Sequence, residues 1–546
     1  MKEKWFAAAA AGVLAFSALP MTAFAVDEID DTEYYLIYET EDASFLYQDI
    51  SSTAVEIVEL FGWNGTSVTF PSKIDGKQVT RIGDSACCGY SGLSEVVLPE
   101  GISSISVSAF AGCEDLESVV LPKSLVTIGN YAFSDDRALM HISLPKGLVS
   151  IGDGAFYGNQ FQEISVDAGN TAYCDVDGVL MDRDKKKLIC YPGGREDAAY
   201  VIPDSVTEIG AGAFEECEWL RDLTLSANIT DIAVDALSMT MLDAIYVPET
   251  NPVFSDDNGV LFSKDKTELY FCPEAKAGST YRIPDGVVTV HEAFQFNDTI
   301  ETLQIPASVE EIEETFSECT AFQAFQVDEN NTFYSSADGV LFDKDQSTLL
   351  LCPGSKAGAY QIPDSVKIIS GAAFYGCSEL TSVTVPENVT SINEGAFDGC
   401  SALTTVTLPA GLKSIMERAF YYCDQLQDIY FQGTEAQWDA VSVSTTDNED
   451  LSYAAIHFAD GTVREGSYHK GDVDNNGILN ATDAAQILSY VARASLDLDT
   501  NFTDKQIQAA DIDDNGTINS QDAAYLLAYT AQEGAGYPVN WDSILY

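Results

Sequence analysis

A pattern of apolar and polar positions that returns every 23 residues fills the middle of the chain. The phrase I-x-x-x-A-F-x-x-C-x-x-L-x-x-V-x-L-P recurs in eleven units, whose first positions are Ile82, Ile105, Ile128, Ile151, Ile209, Ile232, Val290, Ile312, Ile369, Ile392 and Ile415. A repeat of about 20 to 29 residues with regularly spaced apolar residues predicts a solenoid, in which no coil buries its apolar side alone. Runs such as SVVLP from Ser118 are the predicted strands, because proline cannot continue the ladder.

Three longer gaps interrupt this period, from 151 to 209, from 232 to 290 and from 312 to 369. Each gap contains an insert with one formula: DGVLMDRDKKKLICYP, NGVLFSKDKTELYFCP and DGVLFDKDQSTLLLCP. Two alternating apolar runs flank a turn that contains Lys and Asp, which predicts a β-hairpin leading back into the next coil. The inserts are therefore expected to break a regular ladder at three places.

One repeat position is aromatic in most units. Such a column suits either a strip that stacks on a ligand or a spine inside the solenoid. The need of each coil to bury the same side favours the spine. The column consists of Phe110, Phe133, Phe156, Phe214, Phe294, Phe316, Phe374, Phe397 and Phe420.

Cysteine recurs three residues after the repeat phenylalanine. A small and often buried apolar residue suits a repeat position, so free buried thiols are the favoured interpretation. Disulfides between adjacent coils stay open as an alternative, from Cys377 to Cys400 or from Cys400 to Cys423, because neighbouring strands lie about 4.7 to 4.9 Å apart. No CxxC pair suggests zinc binding or thiol exchange.

The phrases SIGDGAFYG and GAFDGCSALTTVTLP resemble the bacterial surface leucine-rich repeats of the BspA-like type. The resemblance covers roughly residues 82–458 and includes the closing phrase IYFQGTEAQWDAV, which is expected to form a C-terminal cap. It implies an α/β-type leucine-rich-repeat solenoid, mainly β, with hairpin insertions. Before it, TEYYLIYET and SVTFPSKIDGKQVTRIG alternate apolar and polar residues, which predicts an N-terminal β-rich cap over residues 26–81.

Near the C-terminus, two acidic loops share one spacing of oxygen-bearing residues. Side chains with oxygen fall at loop positions one, three, five and twelve, and glycine stands at position six. A calcium ion takes about six to eight oxygen ligands on a sharply turned backbone, which this spacing supplies, with a backbone carbonyl at seven and a water held at nine. Two calcium ions are therefore expected. The predicted ligands are Asp472, Asp474, Asn476, Ile478, Asn480 and Asp483 in the first loop, and Asp511, Asp513, Asn515, Thr517, Asn519 and Asp522 in the second.

A helix is predicted after each loop from apolar residues at three- and four-residue spacing. No comparable helix enters the first loop, and aspartate rather than glutamate closes both loops, which departs from the EF-hand pattern. Tandem units of this kind, from Gly471 to Ala531, resemble a type I dockerin. The resemblance implies that residues 471–546 form a small all-α calcium-binding dockerin domain with a C-terminal tail, which docks into a cohesin module.

Loop positions ten and eleven and the following helix carry partner contacts in this family. The matching residues are Ala481, Thr482, Leu488, Ser489 and Arg493 in the first unit, and Ser520, Gln521, Leu527, Ala528 and Gln532 in the second. Residues 459–470 are a short polar linker. Tyr537 and Trp541, past the second helix, either pack back on the start of the module or belong to a disordered tail.

The first 25 residues indicate a secretory signal peptide. An apolar run from Trp5 to Leu19 follows two lysines, and the sequence AFA ends at Ala25. A membrane anchor is the alternative, but Pro20 and the acidic VDEIDD that follows favour cleavage after Ala25. The net charge of −59 argues against nucleic acid and anionic membrane surfaces as partners and suits an extracellular protein.

These features predict a secreted, non-catalytic binding or structural protein that a dockerin attaches to a cohesin of a cellulosome-type scaffold. Its solenoid would present a surface to a host protein or a plant polysaccharide. The chain has four histidines, no HExxH and no Ser/His/Asp motif context, so an enzyme is not expected. An accessory polysaccharide-degrading enzyme or a cell-surface adhesin is the alternative. An acidic pair in a cleft unique to one insert would favour the enzyme.

Overall fold

A computed structural model describes residues 35–544 except 41, 64, 274–277, 296, 298, 314–318, 320, 449, 465, 467–469, 474–478, 496–499, 501, 503, 514, 535–540 and 542–543. The predicted signal peptide lies outside these residues. Two compact units are described separately below: one contains residues 35–322 with Gln326–Phe333, and the other contains Gln323–Phe325 with residues 334–544. In the described part of the chain, no helix has the length and apolar character needed to cross a membrane.

Short parallel strands place the first apolar position of each repeat beside the same position of the next repeat. Ile105 pairs with Ile82 and Ile128, and the register continues to Ile151. The period returns the same face of each coil to the core, which is why these side chains are buried or half-buried. We call these strands, which lie in five separate sheets, the isoleucine ladder: Lys77–Ile82, Ser104–Ile105, Thr127–Ile128, Ser150–Ile151, Glu208–Ile209, Asp231–Ile232, Thr289–Val290, Glu311–Ile312, Ile368–Ile369, Ser391–Ile392, Ser414–Ile415 and Ser442–Val443.

The second strands of the repeats pair in parallel within five further sheets. We call these strands the proline-ended ladder because proline follows many of them. Val96 pairs with Val68 and Val119, so the predicted strand SVVLP is confirmed at Ser118–Val120. Its strands are Ser67–Thr69, Glu95–Val97, Ser118–Val120, His141–Leu144, Glu163–Val166, Ala199–Val201, Asp222–Thr224, Ala244–Tyr246, Thr280–Arg282, Thr302–Ile305, Ala324–Val327, Gly358–Gln361, Leu380–Thr384, Thr405–Leu408, Asp428–Phe431 and Ala455–Phe458.

Phenylalanine rings stack in a column inside the repeats. The ring centroids of Phe110 and Phe133 lie 5.2 Å apart, and those of Phe374 and Phe397 lie 4.9 Å apart. The core interpretation is confirmed, and Phe316 lies outside the described residues. The buried members are Phe110, Phe133, Phe156, Phe214, Phe294, Phe374, Phe397 and Phe420.

The repeat position that cysteine favours is a buried hydrogen-bond donor. The Cys400 thiol donates to the Phe374 carbonyl oxygen of the preceding coil at 3.2 Å. Asn159 stands at the same repeat position, and its Nδ2 donates to the Phe133 carbonyl at 2.5 Å. Asp136 also stands there, and its Oδ1 accepts the Cys113 N–H at 2.8 Å. The twelve cysteines are free thiols, and the buried repeat members are Cys113, Cys217, Cys319, Cys377, Cys400 and Cys423.

Each insert is a three-stranded antiparallel meander. The predicted hairpin is confirmed, and a further strand precedes it. The returning strand pairs in parallel with the next coil through Leu188 and Ile209, so it occupies a ladder position and the ladder resumes there. As expected, the ladder is interrupted before the first strand of the meander. Contrary to the expectation, it continues after the last strand. The strands are Tyr173–Val176, Val179–Asp182 and Lys187–Cys190; Phe254–Asp257, Val260–Ser263 and Glu268–Phe271; and Tyr334–Ala337, Val340–Asp343 and Thr348–Leu351.

A buried asparagine fixes the start of each meander to the coil before it. Asn251 Nδ2 donates to two carbonyl oxygens of the preceding turn, at 3.1 and 2.9 Å. Its Oδ1 accepts the backbone N–H groups of Val253 and Phe254 at 2.9 and 2.8 Å. Asn170 and Asn331 make equivalent bonds. Each of these amides is therefore fully used inside the protein.

Antiparallel strands flank both ends of the repeats. At the N-terminal side, Leu36–Glu39, Ser44–Asp49 and Ala54–Phe61 form a meander whose last strand pairs in parallel with Lys77–Ile82, and Lys73–Ile74 pairs on the other side. At the C-terminal side, Val463–Arg464 pairs antiparallel with Ala455–Phe458. Two short helices precede this pair: α1 (Glu435–Trp438), which begins with a Thr434 capping box, and α2 (Asp450–Tyr453).

Three helices form most of the described part of residues 471–544. They are α3 (Ala481–Ala494), α4 (Asp504–Ala510) and α5 (Ser520–Gly534). Helices α3 and α5 follow the two acidic loops, as predicted. Helix α4 enters the second loop and corrects the expectation that both units lack an entering helix. It is held in part by Gln506, whose Nε2 donates to the Val473 carbonyl at 3.0 Å.

Candidate functional site

The two acidic loops are attached to one small apolar core. The residue after the first predicted ligand, Val473 in one loop and Ile512 in the other, is fully buried. These two residues pack in one cluster with Ile487 of α3 and Leu526 of α5. Each loop is therefore fixed at its start and continues into a helix whose apolar face shares that core.

In the second loop, three carboxylates converge. Oxygen atoms of Asp511, Asp513 and Asp522 lie within 4.8 Å of one another. The backbone N–H groups of Asn515 and Gly516 donate to Asp511 at 3.1 and 2.8 Å, which turns the loop back over the first ligand. Gly516 has φ +79°, a left-handed conformation that glycine adopts without steric cost.

The aspartate at position twelve holds both loops in the same way. Asp522 is fully buried, and its two oxygens accept the N–H groups of Ile512 and Asn519, both at 2.8 Å. In the first loop, the equivalent Asp483 accepts the N–H groups of Val473 at 3.0 Å and Asn480 at 3.2 Å. The sequence duplication is therefore matched by equivalent contacts of the two closing aspartates.

The electrostatics of the second loop favour a cation. Burial raises the pKa of Asp522, the two backbone N–H groups oppose this effect, and the charge of Asp513 adds to it. Three carboxylates at this distance repel one another unless a positive charge lies between them. Carboxylate, amide and carbonyl oxygens are the donors that a hard cation such as Ca²⁺ prefers. The described residues therefore fit calcium.

Some of the remaining predicted ligands are described by the structure, and others lie outside the described residues. Asp472 is buried, and Asn480 is the N-cap of α3, with Oδ1 accepting the N–H of Thr482 at 2.7 Å. In the second loop, Asn515 Oδ1 accepts the N–H of Thr517 at 2.8 Å, and Asn519 Nδ2 donates to the Thr517 carbonyl at 3.1 Å. Asp474, Asn476 and Ile478 lie outside the described residues. The ligand roles of all twelve residues stay predictions.

The predicted partner residues lie on accessible faces of α3, α5 and their first turns. Leu488 is 45% exposed and its equivalent Leu527 is 44% exposed, although both are large apolar side chains. Arg493 is half-buried. The other seven, which are exposed, are Ala481, Thr482, Ser489, Ser520, Gln521, Ala528 and Gln532. Contact of this set with a cohesin stays a prediction.

The two ends of the described module contact each other. Trp541 stacks on Tyr529 of α5, with ring centroids 4.3 Å apart, and a Cβ on Gly471 would lie 3.0 Å from Trp541 Cζ2. Gly471 also has φ +91°. Of the two alternatives for the aromatic tail, the structure shows the packed one at Trp541, and Tyr537 lies outside the described residues.

Two of the described histidines belong to contacts between coils. His291 lies 2.9 Å from both Glu268 and Glu313, and His457 lies 2.6 Å from Asp428. Burial lowers the pKa of His291, but its hydrogen bonds to the two glutamates outweigh burial and the net shift is upward. Because Glu268, His291 and Glu313 follow one another along the isoleucine ladder, this group is explained as a contact between coils. His469 lies outside the described residues.

Comparisons with known proteins find two families. The model of the BspA type leucine rich repeat region matches residues 62–174, 198–261, 278–338 and 354–453 in six copies. The model of the dockerin type I domain matches residues 470–529. No curated protein is significantly similar to the chain.

Solved structures of bacterial leucine-rich repeat proteins are also similar. A leucine rich cell surface protein from Faecalibacterium prausnitzii A2-165 is 22% identical, with 75% of this chain and 98% of that chain covered and a TM-score of 0.36. The pneumococcal vaccine antigen PcpA is 19% identical, with 75% and 97% covered and a TM-score of 0.34. A leucine-rich repeat protein from Eubacterium ventriosum ATCC 27560 is 19% identical, with 71% and 88% covered and a TM-score of 0.27.

Proposed function

Because the chain belongs to the BspA type leucine rich repeat family and carries a type I dockerin domain, we propose that it is a secreted, non-catalytic binding protein. The dockerin implies docking to a cohesin in a cellulosome-type assembly. The repeats imply a binding surface, and we propose a protein or a carbohydrate as its ligand. The protein would act outside the cell, on the cell surface or within the assembly.

The proposed attachment is supported above all by one observation, the equivalent contacts of the two aspartates that close the acidic loops. Asp483 and Asp522 each accept the same two backbone N–H groups, and both are fully buried. Type I dockerins bind calcium, and we propose two ions here, one in each loop. Bound calcium would balance the carboxylate charge and order the loops, which also positions α3 and α5 for a partner.

The non-catalytic role is supported by the way in which the repeats use their residues. The phenylalanine, isoleucine and cysteine positions serve the core, and the buried asparagines anchor the meanders. A residue that every coil needs for packing does not mark a unique active site. The surfaces between these positions vary from coil to coil, which suits recognition of a ligand along an extended face.

Calcium-dependent capture by cohesin tests the attachment. The full chain should bind a panel of immobilised cohesins in calcium and be released by EDTA. The double variant Asp472→Ala with Asp511→Ala should lower capture by about a hundredfold or more, because each loop loses its first ligand. A matched double variant, Asp184→Ala with Asp345→Ala, removes the same charge from exposed turns and should bind normally. Capture that persists in EDTA and in the loop variant would disprove the attachment.

A further inference from the structure

A cavity of about 390 Å³ lies where the first meander replaces a coil. The sheet that contains Ser150–Ile151 ends there, and the next sheet contains the returning strand Lys187–Cys190. Within this fully described stretch, the two strands share no ladder pairing. We call the cavity the seam pocket. Its walls include Ile151, Tyr157, Tyr173, Lys187, Gly210 and Ala233.

Two of the glycines that line the seam pocket, Gly210 and Gly212, lie against two of its side chains. A Cβ on Gly212 would overlap the Tyr157 ring, and a Cβ on Gly210 would lie 2.9 Å from Lys187 Cε. The ring and the lysine stem therefore lie directly over bare backbone. The Tyr157 ring and the Lys187 stem can pack this closely because glycine has no Cβ. The pocket is therefore bounded by specifically placed side chains, unlike a void that is left by loose packing.

The polar groups of the pocket are held by neighbours. Tyr157 donates its hydroxyl to Asp235 at 2.9 Å, and the Tyr173 hydroxyl accepts the Ile151 N–H at 2.9 Å. Lys187 pairs with Glu208 at 2.5 Å. These bonds fix the directions of the groups before any ligand enters, which lowers the cost of binding.

Two further lining residues are aspartates, and they differ in their partners. Asp182 Oδ1 accepts the N–H groups of Lys186 and Lys187 at 2.6 and 2.9 Å, so it holds the turn of its own meander. Asp153 is exposed at the rim, and its carboxylate has no hydrogen bond or ion pair among the described residues. Asp182 therefore has a structural task, whereas the Asp153 carboxylate is available to a ligand. The pocket is suited to binding.

The lining limits the chemical class of the ligand. A volume of about 300 to 1,000 Å³ is usual for small-molecule sites. Lining groups of both signs, Asp153 and Asp182 with Lys187, suit a neutral molecule that both donates and accepts hydrogen bonds. The net charge of −59 disfavours anions. Apolar and aromatic walls suit a molecule that also has C–H faces.

We propose that the seam pocket binds one or two units of a neutral saccharide. Ligand hydroxyls would bond to Asp153, Asp182 and Lys187, and a C–H face would contact Tyr157. This inference rests on the proposed function of the repeats as a binding surface and names a class of ligand for it.

Calorimetry with the full chain in calcium tests the proposal. The probes are cellobiose, xylobiose and mannobiose, with digalacturonic acid as an anionic comparison and trilysine as a cationic one. At least one neutral disaccharide should bind saturably, and digalacturonic acid should not. Ala233→Met should weaken binding by about tenfold or more because it fills the pocket. Met416 occupies the same repeat position in another coil, so a methionine there is compatible with the fold.

Two further variants locate the contact. Asp153→Asn should weaken binding by about threefold through loss of a charged acceptor. Glu417→Gln changes the same repeat position in another coil and should have no effect.

The proposal fails if none of the three neutral disaccharides binds, if Ala233→Met leaves binding unchanged, or if digalacturonic acid binds equally well. Tighter binding of trilysine that Ala233→Met abolishes would also overturn it in favour of a basic peptide. Cohesin capture is measured with the same preparations. If no saccharide binds but capture is retained, the saccharide proposal fails while the proposed attachment to cohesin is unaffected.

Discussion

Asp136 in the repeats and Asp522 in the dockerin are both fully buried, and burial is the main cause that raises the pKa of each carboxyl. Their surroundings differ. Asp522 accepts two backbone N–H groups and faces two further carboxylates within 4.8 Å. Asp136 accepts one N–H, from Cys113 at 2.8 Å, and its Oδ2 has no partner among the described residues. The carboxylates around Asp522 suit a cation, whereas burial favours the protonated form of Asp136.

The same contrast holds for the cores. The repeats share long apolar clusters in which each coil extends the one before it. The dockerin core has seven buried residues in its described part: Val473, Ala484, Ile487, Ala510, Ile512, Ala523 and Leu526. A core of this size contributes little stability by itself, so metal binding must add to it. The two regions should therefore respond to different perturbations.

Removal of calcium should have the largest effect and should separate the two regions. At a calcium concentration about a thousand times the dissociation constant, binding to the folded state alone adds about 4 kcal/mol to its free energy of unfolding. EDTA should therefore lower the melting transition of α3 and α5 and leave that of the repeats unchanged. Circular dichroism of the full chain at helix-sensitive and strand-sensitive wavelengths measures both. Equal shifts in the melting temperatures of the repeats and of the dockerin would contradict the proposed difference between the two regions.

Asn251→Ala should destabilise the repeats by about 3 kcal/mol and leave the dockerin transition in place. The change removes the four bonds of the anchor and leaves buried backbone groups without partners. Asn228→Ala is the matched control, since Asn228 is exposed and bonds to the Asp204 carbonyl at 2.8 Å. Urea titration compares the two variants. Similar losses for both would show that the anchor has no special role.

Asp136→Asn should stabilise the repeats increasingly as pH rises. Burial raises the pKa of Asp136 to about 9, so the folded state keeps a proton that the unfolded state releases above about pH 4. The stability of the native chain therefore falls between these two pH values by about 1.4 kcal/mol per pH unit, and the variant avoids that loss.

The asparagine could also donate to a carbonyl, as Asn159 does at the same repeat position. Melting temperatures from pH 5 to 9 measure the trend. Asp135→Asn, on the exposed neighbour, is the control. A pH-independent difference between Asp136→Asn and the native chain would refute the role of the buried proton.

Trp541→Ala should have the smallest effect, about 1 kcal/mol on the dockerin in calcium, because the stacked pair with Tyr529 is lost. The repeats should be unaffected. Trp219→Ala, at a tryptophan that is 51% exposed, is the matched control for general loss of an indole. Differential scanning calorimetry resolves the difference, and a dockerin transition unchanged by Trp541→Ala would show that the tail contact adds no stability.

The repeat register could be predicted from the sequence because one physical demand, burial of the same side of each coil, acts at every repeat. The isoleucine positions, the phenylalanine column and the strand before each proline all follow from it. The way in which the meanders join the ladder could not be read from alternation alone. It depends on the amides of Asn170, Asn251 and Asn331. The shared sequences GNTAY, TNPVF and NNTFY, at equal distances before each GVL, were a usable indication.

The dockerin domain could be predicted from the sequence for a different reason, since calcium imposes fixed positions on the loop; the ligand roles of the twelve residues stay predictions. Helix α4 was missed because its seven residues have few apolar positions and one of its side chains, Gln506, is held by a tertiary contact. The seam pocket had no sequence indication, because the residues that line it, in 151–157, 173–190 and 210–233, belong to coils that are far apart in the sequence.

The contact between Gly471 and Trp541 has a consequence for protein engineering. It places the beginning and the end of the described dockerin side by side. A domain whose termini are adjacent can be inserted into a surface loop of another protein or circularly permuted without stretching either junction. The calcium-binding module could therefore be inserted into a surface loop of a host protein, in addition to being fused to one end of its chain.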